Sequence, residues 1–221
     1  MAKILVVEDN RDYQELLCNF LEDAGYEVTA CTDGEEAILL ADRTGFDLIL
    51  LDLMLPTISG YEVCETIRKT QNIPIVMLTA LESEAHQLKG YNLLIDDYIT
   101  KPVSMSLLIH KVEAVLRRTG EKHSESVEYA GISLDPKTHT VNVGGVLVNF
   151  TLREFEILQE LIKSKGEIVT RKSLISKLWD YDFYGDTRIV DTHMKNIRKK
   201  LAEYDCIDTV RGVGYRLRQV E

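Results

Sequence analysis

Three short apolar runs constrain this chain more than any other feature: Ile4-Leu5-Val6-Val7, Asp47-Leu48-Ile49-Leu50-Leu51 and Pro74-Ile75-Val76-Met77-Leu78. Each is too short for a helix and too apolar for a strand with one face in water. Each therefore reads as a central strand of a parallel sheet covered on both faces. Elsewhere the apolar spacing turns helical. Leu16, Leu17, Phe20, Leu21 and Ala24 fall on one face, as do Met105, Leu108, Ile109, Val112, Val115 and Leu116. Strands near Glu27–Ala30 and Tyr98–Thr100 complete a βα series. The alternation predicts an α/β domain over residues 1–118, with a doubly wound, five-stranded parallel sheet and right-handed crossovers.

The pattern changes after Thr119-Gly-Glu-Lys-His-Ser-Glu-Ser126, a polar stretch without periodicity that reads as a linker over 119–126. Ile132–Leu134, Thr140–Val143 and Val146–Asn149 are short strands, with Gly144-Gly145 as a hairpin turn. Helical patterns follow over Leu152–Ser164, Arg171–Leu178 and Arg188–Leu201, and a last hairpin spans Ile207–Leu217. Strands, three helices and a terminal hairpin are the order of an α+β winged helix, expected over 127–221.

Charge separates the two halves. The net −10 comes from residues 1–119, with 10 Lys/Arg against 20 Asp/Glu, whereas residues 120–221 carry 16 of each. Within 188–218 there are eight basic residues and four acidic ones, which suits a polyanionic partner for that end. No apolar run approaches the roughly 20 residues that span a bilayer. The N-terminal pattern does not suggest a signal peptide, since Glu8 and Asp9 interrupt after four apolar residues. Cys18, Cys31, Cys64 and Cys206 form no C-x-x-C pair and read as reduced thiols of a cytoplasmic protein.

An open parallel sheet binds ligands beyond the carboxyl ends of its strands. Here those ends carry Glu8-Asp9, Asp52, Thr79-Ala80 and Lys101-Pro102. Three close carboxylates repel unless a cation sits among them, and oxygen-only ligands favour Mg²⁺. With the cation in place, one carboxylate can attack a phosphoryl group while a hydroxyl and an ammonium hold its oxygens. Singly, each residue is more often a turn or a solvated acid. Jointly, polar groups at the same end of successive strands are hard to attribute to chance.

Val6-Val7-Glu8-Asp9-Asn10, Leu50-Leu51-Asp52-Leu53-Met54-Leu55-Pro56, Leu78-Thr79-Ala80 and Asp96-Asp97-Tyr98-Ile99-Thr100-Lys101-Pro102 resemble the receiver domain of two-component response regulators, a flavodoxin/CheY-like fold. The resemblance implies that Asp52 accepts phosphate from a histidine kinase and that Glu8, Asp9, Asp52 and the Met54 carbonyl bind Mg²⁺. It further implies that Thr79 and Lys101 contact the phosphoryl group, and that Tyr98 is an aromatic switch. Phosphorylation would shift a two-state population. Lys89, Asp96, Asp97 and Lys111 are candidates for a symmetric dimer face. The chain departs from the pattern at Leu94-Ile95, where Gly-Ala is usual, and at Leu107 and Glu113, where an acid and an arginine are common.

In the helix from Arg188 to Leu201, Val190, Met194, Ile197 and Leu201 cluster within about 60° of one another and form a buried stripe. Arg188, Thr192, Lys195 and Lys199 lie opposite, Asn196 lies beside them, and His193 and Arg198 lie on the flanks. Such a face fits a major groove, and Arg211 and Arg216, bracketing Gly212-Val213-Gly214, form a wing that suits a minor groove. Phe150–Phe155, Val169-Thr170-Arg171, Leu178-Trp179, Arg188–His193 and Val210–Arg216 resemble the OmpR/PhoB class of effector domain. That implies base contacts from Thr192 and Asn196, and phosphate contacts from Arg188, His193, Lys195 and Arg198. Asn196 stands where arginine is frequent. The acidic, aromatic loop over 180–186 sits where such domains meet RNA polymerase.

Two other readings use a strand-end aspartate. A dehalogenase-type phosphatase needs a second aspartate two residues after its nucleophile, where this chain has Met54. A phosphate-independent pseudo-receiver is disfavoured by the presence of all five pocket groups. The expected protein is therefore a phosphorylation-switched, dimerising transcription regulator with slow self-dephosphorylation, rather than an enzyme.

Overall fold

The computed structural model describes residues 1–43, 45–80, 95–120, 126–136, 138–179 and 187–218. The chain divides into two compact units, Met1–Thr119 and Gly120–Glu221.

In the first unit, strands β1 (Lys3–Val7), β2 (Glu27–Cys31), β3 (Leu48–Asp52), β4 (Ile75–Thr79) and β5 (Asp97–Thr100) form one parallel sheet in the order β2-β1-β3-β4-β5. Helices α1 (Arg11–Asp23), α2 (Gly34–Arg43) and α3 (Gly60–Thr70) belong to this unit, as does α4 (Met105–Gly120) but for its last residue. All of β3 and β4 is buried, as the unbroken apolar runs require. A fully buried Leu or Ile contributes about 1.5–3 kcal/mol relative to exposure, so these runs fix which strands are central.

Two sequence expectations change. In α1 only Leu17 and Leu21 are buried, while Leu16 and Phe20 are about two-fifths exposed, so the apolar face is wider than the strip that meets the core. Thr119 and Gly120, expected in the linker, are the last residues of α4. Most of the remaining linker lies outside the described residues.

The second unit opens with a four-stranded antiparallel sheet: β6 (Val127–Tyr129), β7 (Ile132–Asp135), β8 (Thr140–Val143) and β9 (Val146–Val148). Gly144 and Gly145 both take positive φ in the β8–β9 turn, the conformation a tight hairpin demands. Helices α5 (Leu152–Lys163), α6 (Arg171–Leu178) and α7 (Ile189–Leu201) follow. The capping box of Thr151 and Glu154 starts α5. A three-stranded sheet of order β10-β12-β11 closes the unit, from β10 (Val169–Thr170), β11 (Ile207–Val210) and β12 (Gly214–Leu217). Gly214 permits that sheet: a Cβ there would lie 2.0 Å from the Val169 carbonyl oxygen. The described residues include no helix long and apolar enough to cross a membrane. All four cysteines are free, and burial, the leading cause, pushes the Cys31 thiol up to about 12 and Cys64 to about 11.

Candidate functional site

The carboxyl ends of β1, β3 and β5 converge on a pocket of about 460 Å³ lined by Glu8, Asp9, Asn10, Tyr13, Asp52, Met54, Lys101 and Pro102. Backbone bonds pin its rim: Glu8 N–H donates to Cys31 O (3.2 Å), Leu53 N–H to Leu78 O (3.2 Å) and Lys101 N–H to Thr79 O (2.7 Å). Gln14 adds a brace, its side-chain amide donating to the Glu8 and Cys31 carbonyls at 2.9 and 2.8 Å. Below Asp52, Gly60 packs so closely that a Cβ would stand 2.1 Å from the Asp52 carbonyl oxygen. That contact explains a glycine at the start of α3.

Glu8 and Asp52 are buried, Asp9 is exposed, and one oxygen of each lies within 4.8 Å of the others. Lys101 Nζ joins the first two, at 2.7 Å from Glu8 and 2.9 Å from Asp52. Desolvation raises the Glu8 carboxyl above its ordinary range; the Lys101 bond opposes this and the Asp52 charge adds to it. Burial acts against the Lys101 ammonium, but its bonds to Glu8 and Asp52 prevail and raise it. One ammonium thus compensates two of three acids. An oxygen-only set with residual negative charge fits a hard divalent cation such as Mg²⁺. Thr79 is buried at the end of β4, and Tyr98 is half-buried on β5 with its ring 5.9 Å from Lys111 Nζ.

Three of the four candidate dimer residues do not lie on an exposed face. Asp96, Asp97 and Lys111 are buried inside the first unit. Asp96 accepts from the Ile75 N–H and from Arg68, both at 2.8 Å, and Asp97 pairs with Lys111 at 2.9 Å. Leaving such charges unpaired under cover would be costly, so they are internal ties holding β4, β5, α3 and α4. Lys89 lies outside the described residues.

In the second unit, α7 buries Ile189, Val190, Met194, Ile197 and Leu201. Arg188, Lys195 and Lys199 are exposed on its other side, with Thr192 and Asn196 partly exposed beside them. Arg211 and Arg216 are exposed on the terminal hairpin. His193 does not join this face. It is fully buried, its ring centroid 5.7 Å from that of Trp179, because it falls next to the apolar stripe and packs inward. Arg198 is largely committed within the unit too: its guanidinium donates to the Ile207 carbonyl (2.8 Å) and Thr209 hydroxyl (2.9 Å), with Asp205 at 3.5 Å. The loop over 180–186 lies outside the described residues.

One cluster escapes the sequence reading. Asp191, in the first turn of α7, accepts from Arg171 Nε at 2.7 Å and from the Tyr215 hydroxyl, and Arg171 also donates to that hydroxyl at 3.1 Å. It ties α6, α7 and β12 together. Its members are 20 to 44 residues apart, so no local pattern announces it.

Comparison with known proteins agrees with both halves. Residues 4–113 match the response regulator receiver domain, and residues 145–217 match the C-terminal domain of transcriptional regulatory proteins. The chain is 40% identical to sensory transduction protein RegX3 of Mycobacterium tuberculosis H37Rv, over 98% of this chain and 99% of that protein. It is 38% identical to transcriptional regulatory protein ResD of Bacillus subtilis, over 97% and 95%. Among solved structures, a mutant of RitR aligns over the whole of both chains with a TM-score of 0.76 at 29% identity. DrrB, a Thermotoga maritima OmpR/PhoB homolog, aligns over 99% of this chain and all of its own with a TM-score of 0.52 at 32% identity. The chain therefore belongs to the OmpR/PhoB-class response regulators of two-component systems, pairing a receiver with a DNA-binding transcriptional regulatory domain.

Proposed function

We propose that Asp52 is the phosphoacceptor and that its phosphorylation controls promoter binding by the second unit. The observation that carries this reading is the Lys101 ammonium bound to Asp52 and Glu8 at the carboxyl end of the sheet. An Asp52 carboxylate oxygen attacks phosphorus of a kinase phosphohistidine, the phosphorus–nitrogen bond breaks, and the electron pair leaves on the imidazole. Lys101 Nζ and the Thr79 hydroxyl then hold phosphoryl oxygens. Glu8, Asp9, Asp52 and the Met54 carbonyl would hold Mg²⁺, which when bound neutralises charge gathering around the transferred group. Movement of Thr79 toward the phosphate frees space for the Tyr98 ring, and the receiver population shifts toward its active state.

The active state forms a homodimer on direct-repeat DNA, inside the cytoplasm, with α7 in the major groove and the Arg211 wing in the minor groove. Arg188, Lys195 and Lys199 meet phosphates, while Thr192 and Asn196 meet base edges. RNA polymerase is a further partner, through the loop over 180–186. Fluorescence anisotropy on a selected promoter fragment tests the link. Acetyl phosphate with Mg²⁺ should tighten binding by the wild type and leave Asp52→Asn unchanged. Equal tightening of both proteins would reject Asp52 as the control point.

A further inference from the structure

We propose that Tyr13 is a positioning residue for phosphoryl transfer, its ring seating the Lys101 ammonium beside Asp52. This rests on the reading of Asp52 as phosphoacceptor. Lys101 Nζ stands 5.0 Å from the centroid of the Tyr13 ring, within range of a cation–π contact. Tyr13 also lines the pocket with Glu8, Asp9 and Asp52.

The ring's place is set by the loop that carries the acids. Asn10 caps α1, its side-chain oxygen accepting from the Tyr13 N–H at 3.0 Å. The next residue, Gln14, bonds the carbonyls of Glu8 and Cys31. Tyr13 is therefore held in the first turn of a helix fastened to β1 and β2, facing a lysine that arrives from β5.

Lysine is a flexible stem ending in a point charge, so something must hold the charge where phosphate arrives. In the resting pocket the two carboxylates do so. During transfer that support changes: Asp52 becomes an acyl phosphate, and the oxygens of Glu8 would be shared with a bound divalent cation. The Tyr13 ring is a contact that neither event consumes. It keeps the ammonium where negative charge develops on the phosphoryl oxygens.

Three proteins test this: wild type, Tyr13→Leu, which removes the ring, and Tyr13→Phe, which keeps the ring and loses the hydroxyl. Phosphorylation by acetyl phosphate with Mg²⁺ is followed by intact-protein mass spectrometry, and the Lys101 side chain by NMR, assigned through Lys101→Arg. Tyr13→Leu should be phosphorylated about three- to tenfold more slowly, the range of an isolated to a partly desolvated cation–π contact, with Tyr13→Phe within about twofold of wild type. The Lys101 Hε resonances should be shifted upfield by the ring current in wild type and Tyr13→Phe, and return toward free-lysine values in Tyr13→Leu. Thermal melts must show both variants folded. A wild-type rate in Tyr13→Leu, equal slowing in Tyr13→Phe, or a Lys101 resonance insensitive to the ring would each overturn the proposal. No adduct on wild type would remove the phosphoacceptor reading and this proposal together, whereas an adduct on wild type with a normal Tyr13→Leu rate removes only the role of Tyr13.

Discussion

Lys101 and Asp52 are joined at 2.9 Å across the carboxyl end of the sheet, and the same ammonium reaches Glu8 at 2.7 Å. A single cation from the end of β5 thus compensates acids from β1 and β3. The pocket is assembled around a charge balance that is easy to upset.

Removing that cation gives the first expectation. Breaking a buried pair costs about 3–5 kcal/mol, and the partial exposure of Lys101 reduces this to about 1–3 kcal/mol for Lys101→Ala. Mg²⁺ should stabilise the variant more than the wild type, because in the wild type it competes with the ammonium for the same oxygens. Urea unfolding with and without Mg²⁺ measures both effects. Equal Mg²⁺ stabilisation of the two proteins would refute the competition.

The recognition helix separates contact residues from packing residues. Lys195→Ala should weaken binding to all sequences and lower the salt slope by about one. Asn196→Ala should relax preference at one base step, by about 1–3 kcal/mol. His193→Ala should instead destabilise the domain, on the order of 2–4 kcal/mol, through a cavity beside Trp179. Binding titrations at several salt concentrations, paired with melts, distinguish the three. A His193→Ala protein of native stability with a reduced salt slope would return His193 to the DNA face.

Alkaline pH probes the Tyr215 cluster. Burial foremost, then the bond to Asp191 and its charge, raise the Tyr215 phenol to about 12, against opposition from Arg171. The folded state holds this proton more tightly than the unfolded state, whose phenol ionises near its ordinary value of 10.0. Its stabilising contribution is therefore full below pH 10 and falls away as pH rises toward 12. Denaturation midpoints between about pH 9 and 11.5 should drop more steeply for wild type than for Tyr215→Phe. Parallel slopes would contradict a shifted Tyr215.

Much of this is readable from residue order, and the remainder shows where such reading stops. Unbroken runs such as Leu48–Leu51 identify central strands because burial on both faces leaves no polar position. Strand-end acids follow directly from those runs. The strands Val127–Tyr129 and Val169–Thr170 escape it because two or three residues carry no period. Helix angle alone puts His193 on a flank, although Ile189 and Ile197, four residues to either side, mark that flank as dry. Asp96 and Asp97 read in sequence as candidates for a dimer face, because the cations that hold them inside, Arg68 and Lys111, lie 28 and 14 residues away.

The role of Asp52 is tested by intact-protein mass spectrometry of wild type and Asp52→Asn after incubation with acetyl phosphate and Mg²⁺. Wild type should gain a single phosphoryl mass, absent from the variant and absent without Mg²⁺. A folded wild type that gains no mass, or a variant that gains the same mass, would contradict it.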